Sequence, residues 1–335
     1  MTEKTTLRIY GCGGTGINIL KEIMTKNESE TNGFSEIKPV FLDTSESNID
    51  HSVMTDDNTY FYDSNDTQGN KLDGSGMDRS ANHAVIAARP VEILHKFKPG
   101  NINVVIHSTS GGSGSVIGPV LVSELIRKEQ SVIVVLVGSF GCKKEAVNSV
   151  NTLKSYQSIS TKRGVPIQAS YFENNINNTM DMVNQEVMTL IGLISIFFSG
   201  NNKSLDSADL NNLLDYRKVV ESYEPQLAYL NVFTKEIKLN KDQGVIGVVS
   251  LTKEGTSHNC GIHVDYHTFG YMNQDVLPVF ENVLPLHMVS ISGWFHPVMT
   301  KLEGEIKAFD AAKQAISTKT IAFNLEDSTD EGLIL

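Results

Sequence analysis

The sequence predicts an α/β chain: an N-terminal Rossmann-like parallel-sheet domain, a long central helix, and a smaller C-terminal α/β domain with an acidic C-terminal tail. Three observations carry this. The first half alternates short β-branched runs with segments of helical spacing, the pattern of βα units. Two glycine-rich loops each follow a strand-like run and open a helix-like one. Between the halves lies a stretch, 178–199, that is apolar on most sides at helical spacing, as a buried helix would be.

Composition sets the outer bounds. A chain of 335 residues, 40% of them apolar, has room for two domains with a real core. The formal charge of −11 argues against direct contact with nucleic acid or an anionic membrane, and favours basic partners. Cys12, Cys142 and Cys260 are odd in number and widely spaced, which excludes a CxxC zinc site and fits a reducing, cytoplasmic setting. The N-terminus has no signal-peptide core, and the longest apolar run, 187–198, is short for a bilayer span.

Taken in order, Thr6–Tyr10 reads as a strand and Thr15–Lys26 as a helix, with Pro39–Leu42 as the second strand. The polar stretch 56–82 reads as loop, and His83–Phe97 has helical spacing. Ile102–Ile106 is a strand before a helix, Val116–Lys128. The run Ser131–Val137 is continuously apolar, as expected of a parallel strand covered on both faces. Glu145–Lys162 is a helix and Val165–Ala169 a strand. After Tyr223 the spacing predicts strands at Gly244–Leu251, Ile262–Phe269 and His287–Ile291 and a helix at Met299–Ser317. The expected division is 1–177, 178–199, 200–323 and a tail, 324–335.

The first loop is Gly11-Cys12-Gly13-Gly14-Thr15-Gly16. Glycines let backbone N–H groups approach phosphate oxygens, and the helix N-terminus adds a favourable dipole. The spacing also satisfies G-x-G-x-x-G, so a dinucleotide-binding oxidoreductase using Asp43 on a ribose hydroxyl is a rival reading. Asp43 equally suits a turn or cap. No Walker lysine–serine pair follows. The second loop is Ser108-Thr109-Ser110-Gly111-Gly112-Ser113-Gly114-Ser115, where the hydroxyls of Ser110, Ser113 and Ser115 add donors. Two such loops could clasp one polyphosphate, and a simple dehydrogenase has no use for the second.

These loops carry a resemblance. Ser110–Pro119 (SGGSGSVIGP) and Gly11–Leu20 (GCGGTGINIL), with the Ile17-Asn18 step, are similar to the two phosphate loops of the tubulin/FtsZ superfamily, and in detail to the PhuZ-like phage tubulins. The resemblance implies GTP/GDP as ligand, with Mg²⁺ held mainly through the phosphates and no protein-built metal site. It implies further contacts from Asn18, from Asp43 after the second strand, and from a γ-phosphate loop at Gly74, Ser75 and Gly76, where Met77 and Asp78 depart from the family pattern. Glu145, Asn148 and Asn174 stand where the family contacts the ribose, and Asn184 where it contacts guanine. Each of these also has an ordinary structural reading as a loop or core polar group.

Asp206 and Asp209 are three residues apart at a helix start, which by itself reads as a cap with favourable dipole charge. The resemblance gives them another role: catalytic carboxylates acting in trans, on the nucleotide of the next subunit, with Ser204 replacing the family asparagine. It implies a head-to-tail homopolymer, a dynamic filament in the bacterial host cytoplasm that positions phage DNA or replication structures. A plasmid-partition or division relative would share the same chemistry. The tail combines Glu326, Asp327, Asp330 and Glu331 with Leu333, Ile334 and Leu335. Alone it reads as a solvated terminus, and by resemblance as a filament contact.

Overall fold

A computed structural model describes residues 5–26, 34–62, 75–235, 243–256 and 264–317. Gly74, Cys260 and the tail 324–335 lie outside the described residues.

The first half builds β1 (Thr6–Cys12), α1 (Gly13–Lys26), β2 (Glu36–Asp43), β3 (Thr59–Phe61), α2 (His83–Ala87), α3 (Pro90–Lys96), β4 (Ile102–Ser108), α4 (Gly114–Arg127), β5 (Val132–Gly138), α5 (Lys143–Arg163) and β6 (Ile167–Glu173). Strand β3 sits inside the stretch expected to be loop, where Thr59, Tyr60 and Phe61 supply a short β-branched and aromatic run. The helix expected over His83–Phe97 is two helices, because Pro90 takes the first turn of α3 and cannot continue α2. All seven residues of β5 are buried. Gly164, at φ 62°, ends α5 in the left-handed conformation that lets a glycine close a helix.

The strand order is β3-β2-β1-β4-β5-β6, with every pairing parallel. The order reverses direction between β1 and β4. In open α/β sheets a ligand crevice forms at that switch, at the carboxyl ends of the strands. Both glycine loops end there.

Helix α6 (Met180–Phe197) follows, capped by Thr179, whose side chain accepts from the Met182 N–H. By length and composition it passes for a membrane-crossing helix. In the fold it is a core helix: Val183, Val187, Leu190, Ile191 and Ile194 are buried in a cluster shared with α1 and the sheet. Beyond it come β7 (Asn202–Lys203), α7 (Ser207–Leu214), β8 (Leu227–Thr234), β9 (Val245–Thr252), β10 (Tyr266–Met272), α8 (Leu277–Phe280), β11 (Leu286–Ile291) and α9 (Phe295–Ser317). Strand β8 pairs with β6 in parallel, Ile167 opposite Leu227, so one sheet runs through both halves.

Two placements decide what the fold offers. Helix α7 lies at the amino ends of β5 and β6: Ser131, just before β5, donates to Asn211 Oδ1 at 2.6 Å, and Gln168, at the start of β6, donates to the Leu213 carbonyl at 3.3 Å. Helix α9 packs on α5 in the opposite direction, since Lys154 pairs with Glu303 and Lys143 with Asp310. Because α5 starts beside the carboxyl end of β5, the last turns of α9 reach the end of the molecule where the glycine loops lie.

Candidate nucleotide site

The two loops interlock. Gly13 has φ 68°, and a Cβ on it would meet the Gly114 nitrogen at 2.7 Å. A Cβ on Gly16 would fall 2.2 Å from the Ile106 carbonyl oxygen. The amino ends of α1 and α4 therefore meet at the switch point, where their first-turn N–H groups lack helical partners. They open on a cavity of about 400 Å³ lined by Cys12, Gly13, Gly14, Thr15, Asp43, Ser75, Gly111, Gly112, Ser113 and Gly114, together with Ser45, Ser47, Asn48 and Ser108. This is within the range of small-ligand sites. Among the described residues, no lysine or arginine lines it. The described lining offers an anion backbone N–H groups and two helix dipoles.

The hydroxyls mostly fasten the loops. Ser115 Oγ donates to the Gly112 carbonyl at 3.1 Å, Ser110 Oγ pairs with Ser108 Oγ at 2.9 Å, and Ser113 Oγ with Thr44 Oγ1 at 2.6 Å. Asp43 is almost wholly buried. It accepts from the Thr44 N–H at 2.7 Å and from the side chains of Asn48 and Ser113. It thus ties β2 to the second loop. Burial pushes its carboxyl up to about 6, against the pull of these hydrogen bonds. Burial likewise raises the Cys12 thiol far above its usual range, which leaves it inert.

Beneath the second loop, His107 is fully buried, and burial pushes it down to about 4. The neutral ring donates from Nδ1 to the Ser108 carbonyl at 2.9 Å and accepts at Nε2 from the Tyr156 hydroxyl at 2.6 Å. His107 and Asp43 act on stability in opposite senses. A depressed histidine destabilises the fold as pH falls from its unfolded value near 6.5 towards about 4, because only the unfolded chain takes the proton. A raised carboxyl favours the fold below 3.8, and that stability is lost as pH rises through about 6. For Asp43 the rise from 3.8 to about 6 corresponds to about 3 kcal/mol. Asp43→Asn is expected to raise the melting temperature of nucleotide-free protein at pH 7 and to steepen its loss between pH 6 and 4. Thermal unfolding across that range checks both.

The remaining site residues fall in three groups. Ser75 abuts Gly112, where an added Cβ would overlap its hydroxyl, and Gly76 follows at φ 53°. Asn148 is buried, and its Nδ2 donates to the Ser110 and Met77 carbonyls, both at 2.9 Å, joining the second loop to the 75–78 turn. Glu145 accepts from Ser139 Oγ at 3.1 Å. Asn174 lies after β6 with its N–H on the Gly138 carbonyl and a buried Oδ1 that has no partner. Asn18 is half-buried on α1, and Asn184 is buried on α6 with its Nδ2 on Glu22 Oε1 at 2.7 Å. Asn18, Glu145, Asn148, Asn174 and Asn184 are outside the cavity lining.

Asp206 and Asp209 are elsewhere, at the start of α7. Asp206 caps the helix, accepting from the N–H groups of Ala208 at 2.8 Å and Asp209 at 3.0 Å. Asp209 Oδ2 accepts in turn from the Asp206 N–H at 3.1 Å, completing a capping box. The Tyr266 hydroxyl donates to the Asp209 carbonyl at 3.0 Å.

Sequence reasoning missed Arg79. Pro119 lies inside α4 and has no N–H to give to the Ser115 carbonyl. Arg79 Nη1 fills that acceptor at 2.8 Å and also reaches Thr152 Oγ1, while Nη2 reaches Ser155 Oγ at 3.3 Å. One half-buried guanidinium so fastens the 75–79 turn to α4 and α5. A proline six residues into a helix was the available signal. The lining residues Ser45, Ser47 and Asn48 were also missed, although a hydroxyl- and amide-rich run directly after β2 pointed to them.

The glycine cradle at two helix N-termini and the orphaned Asn174 oxygen fit a polyphosphate carrying a hydrogen-bonding head group. Comparison with known proteins agrees. Residues 6–168 match the GTPase domain of the tubulin/FtsZ family. A phage tubulin-like protein of Pseudomonas phage phiKZ is 34% identical over 223 residues, and the match spans 65% of each chain, just under two thirds of that relative's length. A solved protofilament of TubZ from bacteriophage PhiKZ superposes with a TM-score of 0.82 at 27% identity, covering 98% of this chain and 99% of that one. The GDP complex of the phage tubulin PhuZ shares the fold at a TM-score of 0.82, 20% identity, and coverage of 98% and 99%. Nothing in these matches supports the nicotinamide reading. From the order 3-2-1-4-5-6, the paired glycine loops at its switch point and these likenesses, residues 6–168 are a GTPase domain of the tubulin/FtsZ family, in a chain that shares the phage tubulin fold along nearly its whole length.

Proposed function

We propose that this protein is a filament-forming phage tubulin whose GTP hydrolysis is completed only where two copies meet. One observation carries the reading: the cavity lies at the carboxyl ends of β1 and β4, whereas Asp206 and Asp209 open a helix anchored at the amino ends of β5 and β6. A subunit with its polyphosphate cradle at one end and its carboxylates at the other cannot bring them together by itself. Stacked head to tail, each copy offers acids to its neighbour's nucleotide, and such a heterologous contact propagates as an open filament.

In that junction the N–H groups of Gly13, Gly14, Gly111 and Gly112 hold the phosphates. Asp43 and Asn148 keep the two loops in register, and Asn184 faces the base. Mg²⁺, when bound mainly through the phosphates, would supply positive charge against them. Asp206 and Asp209 of the adjoining copy orient and polarise the attacking water. The four-part division at 177, 199 and 323 follows: a nucleotide domain, a connecting helix, an acid-bearing domain and a tail that reaches the next copy. In the host cytoplasm such a filament would position phage DNA or replication structures through partners rather than by touching nucleic acid or membrane.

Right-angle light scattering with GTP, GDP and ATP, followed by electron microscopy, tests the reading. Scattering is expected to rise with GTP, and phosphate release per subunit to climb with protein concentration. Release independent of concentration would overturn it. Deleting 324–335 is expected to raise the critical concentration several-fold or abolish assembly, with nucleotide affinity kept, and sedimentation of polymer measures this.

A further inference from the structure

We propose that Glu22 sets the base preference of this site by fixing the orientation of the Asn184 amide. The proposal rests on the reading of the cavity as a nucleotide site and names the group that chooses the base.

Asn184 is 5% exposed, in the second turn of α6, and its Nδ2 donates to Glu22 Oε1 on α1 at 2.7 Å. An ionised carboxylate only accepts hydrogen bonds, so the amide cannot turn its oxygen towards Glu22. Lys26 Nζ stands 3.7 Å from the other carboxylate oxygen, which anchors Glu22 from the far side. The Asn184 Oδ1 is thereby a fixed acceptor, pointing away from α1's carboxylate. A free asparagine could present either end of its amide. With Nδ2 turned to Glu22, the end of this amide that faces away from α1 is the oxygen.

The placement of the pair follows from α1. Thr15, Asn18 and Glu22 are spaced i, i+3 and i+7 and form one stripe of the helix. Thr15 lines the cavity, and Glu22 is about 10 Å further along the axis. A nucleotide with its phosphates in the cradle would lay its sugar and base along this stripe, between α1 and the start of α6. The segment leading into α6 supplies a second, independent sign. Asn174 Oδ1 and Asn178 Oδ1 are both buried without a partner. Orphaned acceptors are costly unless a ligand brings donors to them.

The chemistry then discriminates. Guanine presents N–H donors at N1 and N2, and adenine presents a bare lone pair at N1. A fixed oxygen accepts from the first and opposes the second, so a wrong base would leave two acceptors facing each other. Glu22 is a positioning residue here. It acts on the base through Asn184.

The test is competition of GTP and ATP, with Mg²⁺, against a fluorescent guanine nucleotide below the assembly concentration. Thermal unfolding confirms that each variant is folded. Wild type is expected to prefer GTP strongly. In Glu22→Gln the new amide can give or accept, Asn184 can flip, and the GTP-over-ATP preference is expected to fall about tenfold or more. Combining Glu22→Gln with Asn184→Asp swaps the charge across the pair. The carboxylate introduced on α6 accepts from the amide introduced on α1 and still shows the base only oxygen, so the preference is expected to return. A folded Glu22→Gln variant with unchanged preference overturns the proposal, as does a double variant that stays indiscriminate. A wild type that binds both nucleotides equally overturns it alone, whereas one that binds neither overturns the nucleotide-site reading with it.

Discussion

Gly16→Ala is expected to destroy nucleotide binding and to destabilise the fold by about 3 kcal/mol or more. Its added methyl would lie 2.2 Å from the Ile106 carbonyl oxygen and 3.0 Å from the Gly11 carbonyl carbon. All of these are backbone atoms of β1 and β4, where no side chain can swing aside. Relief would require prising α1 from the sheet at the switch point. The neighbouring glycines separate packing from binding. At Gly14 the nearest obstacle is the Asn48 side chain at 3.0 Å, which can rotate, and at Gly111 it is Ser108 Cβ at 3.9 Å. Gly14→Ala and Gly111→Ala should therefore fold, with melting temperatures near wild type, yet bind nucleotide poorly because both methyls face the cavity lining. Equal melting temperatures for all three variants would contradict this account.

Asp206→Asn and Asp209→Asn are expected to lower GTP turnover about 100-fold or more while leaving the subunit folded and able to assemble. The choice of asparagine matters because both aspartates already have a structural task. Asp206 accepts two helix N–H bonds and Asp209 accepts one, so alanine at the cap would cost about 1 kcal/mol and confuse stability with chemistry. Asparagine keeps the accepting oxygen and removes the charge. Mixing supplies the decisive measurement. A chain with intact acids but Gly111→Ala, combined with an Asp209→Asn chain that still binds GTP, should form junctions in which one copy brings nucleotide and the other brings acids. Phosphate release from the mixture should exceed the sum of the separate rates. Strict additivity would place the acids outside the reaction.

Much of the nucleotide half was legible in the sequence, and the reason is local. A glycine run between a β-branched run and a helix constrains its own backbone, so α1 and α4 and their loops follow from neighbouring residues. The paired aspartates were legible as a cap for the same reason, and the capping box is present. What was illegible depends on residues far apart in the chain. Arg79 cannot be linked to Pro119 without knowing that the 75–79 turn crosses α4. Glu22 reads as an ordinary surface acid until α6 brings Asn184 beside it. Strand β8 was missed although Leu227–Thr234 is rich in aromatic and β-branched residues, and it carries the sheet from β6 into the second half by pairing Leu227, Ala228 and Tyr229 with Ile167, Gln168 and Ala169. The break of the His83–Phe97 helix is visible as Pro90, but hydrophobic spacing alone runs straight through it.

The antiparallel packing of α9 on α5 has a practical corollary for imaging. Since Lys143 and Asp310 bring the late turns of α9 beside the start of α5, a fluorescent reporter fused after this helix would sit at the seam where copies are proposed to join. Such a fusion would compete with the very association it is meant to report. A small dye on an exposed side chain at the β3 edge of the sheet, away from both α7 and the glycine loops, is the safer way to watch this protein at work.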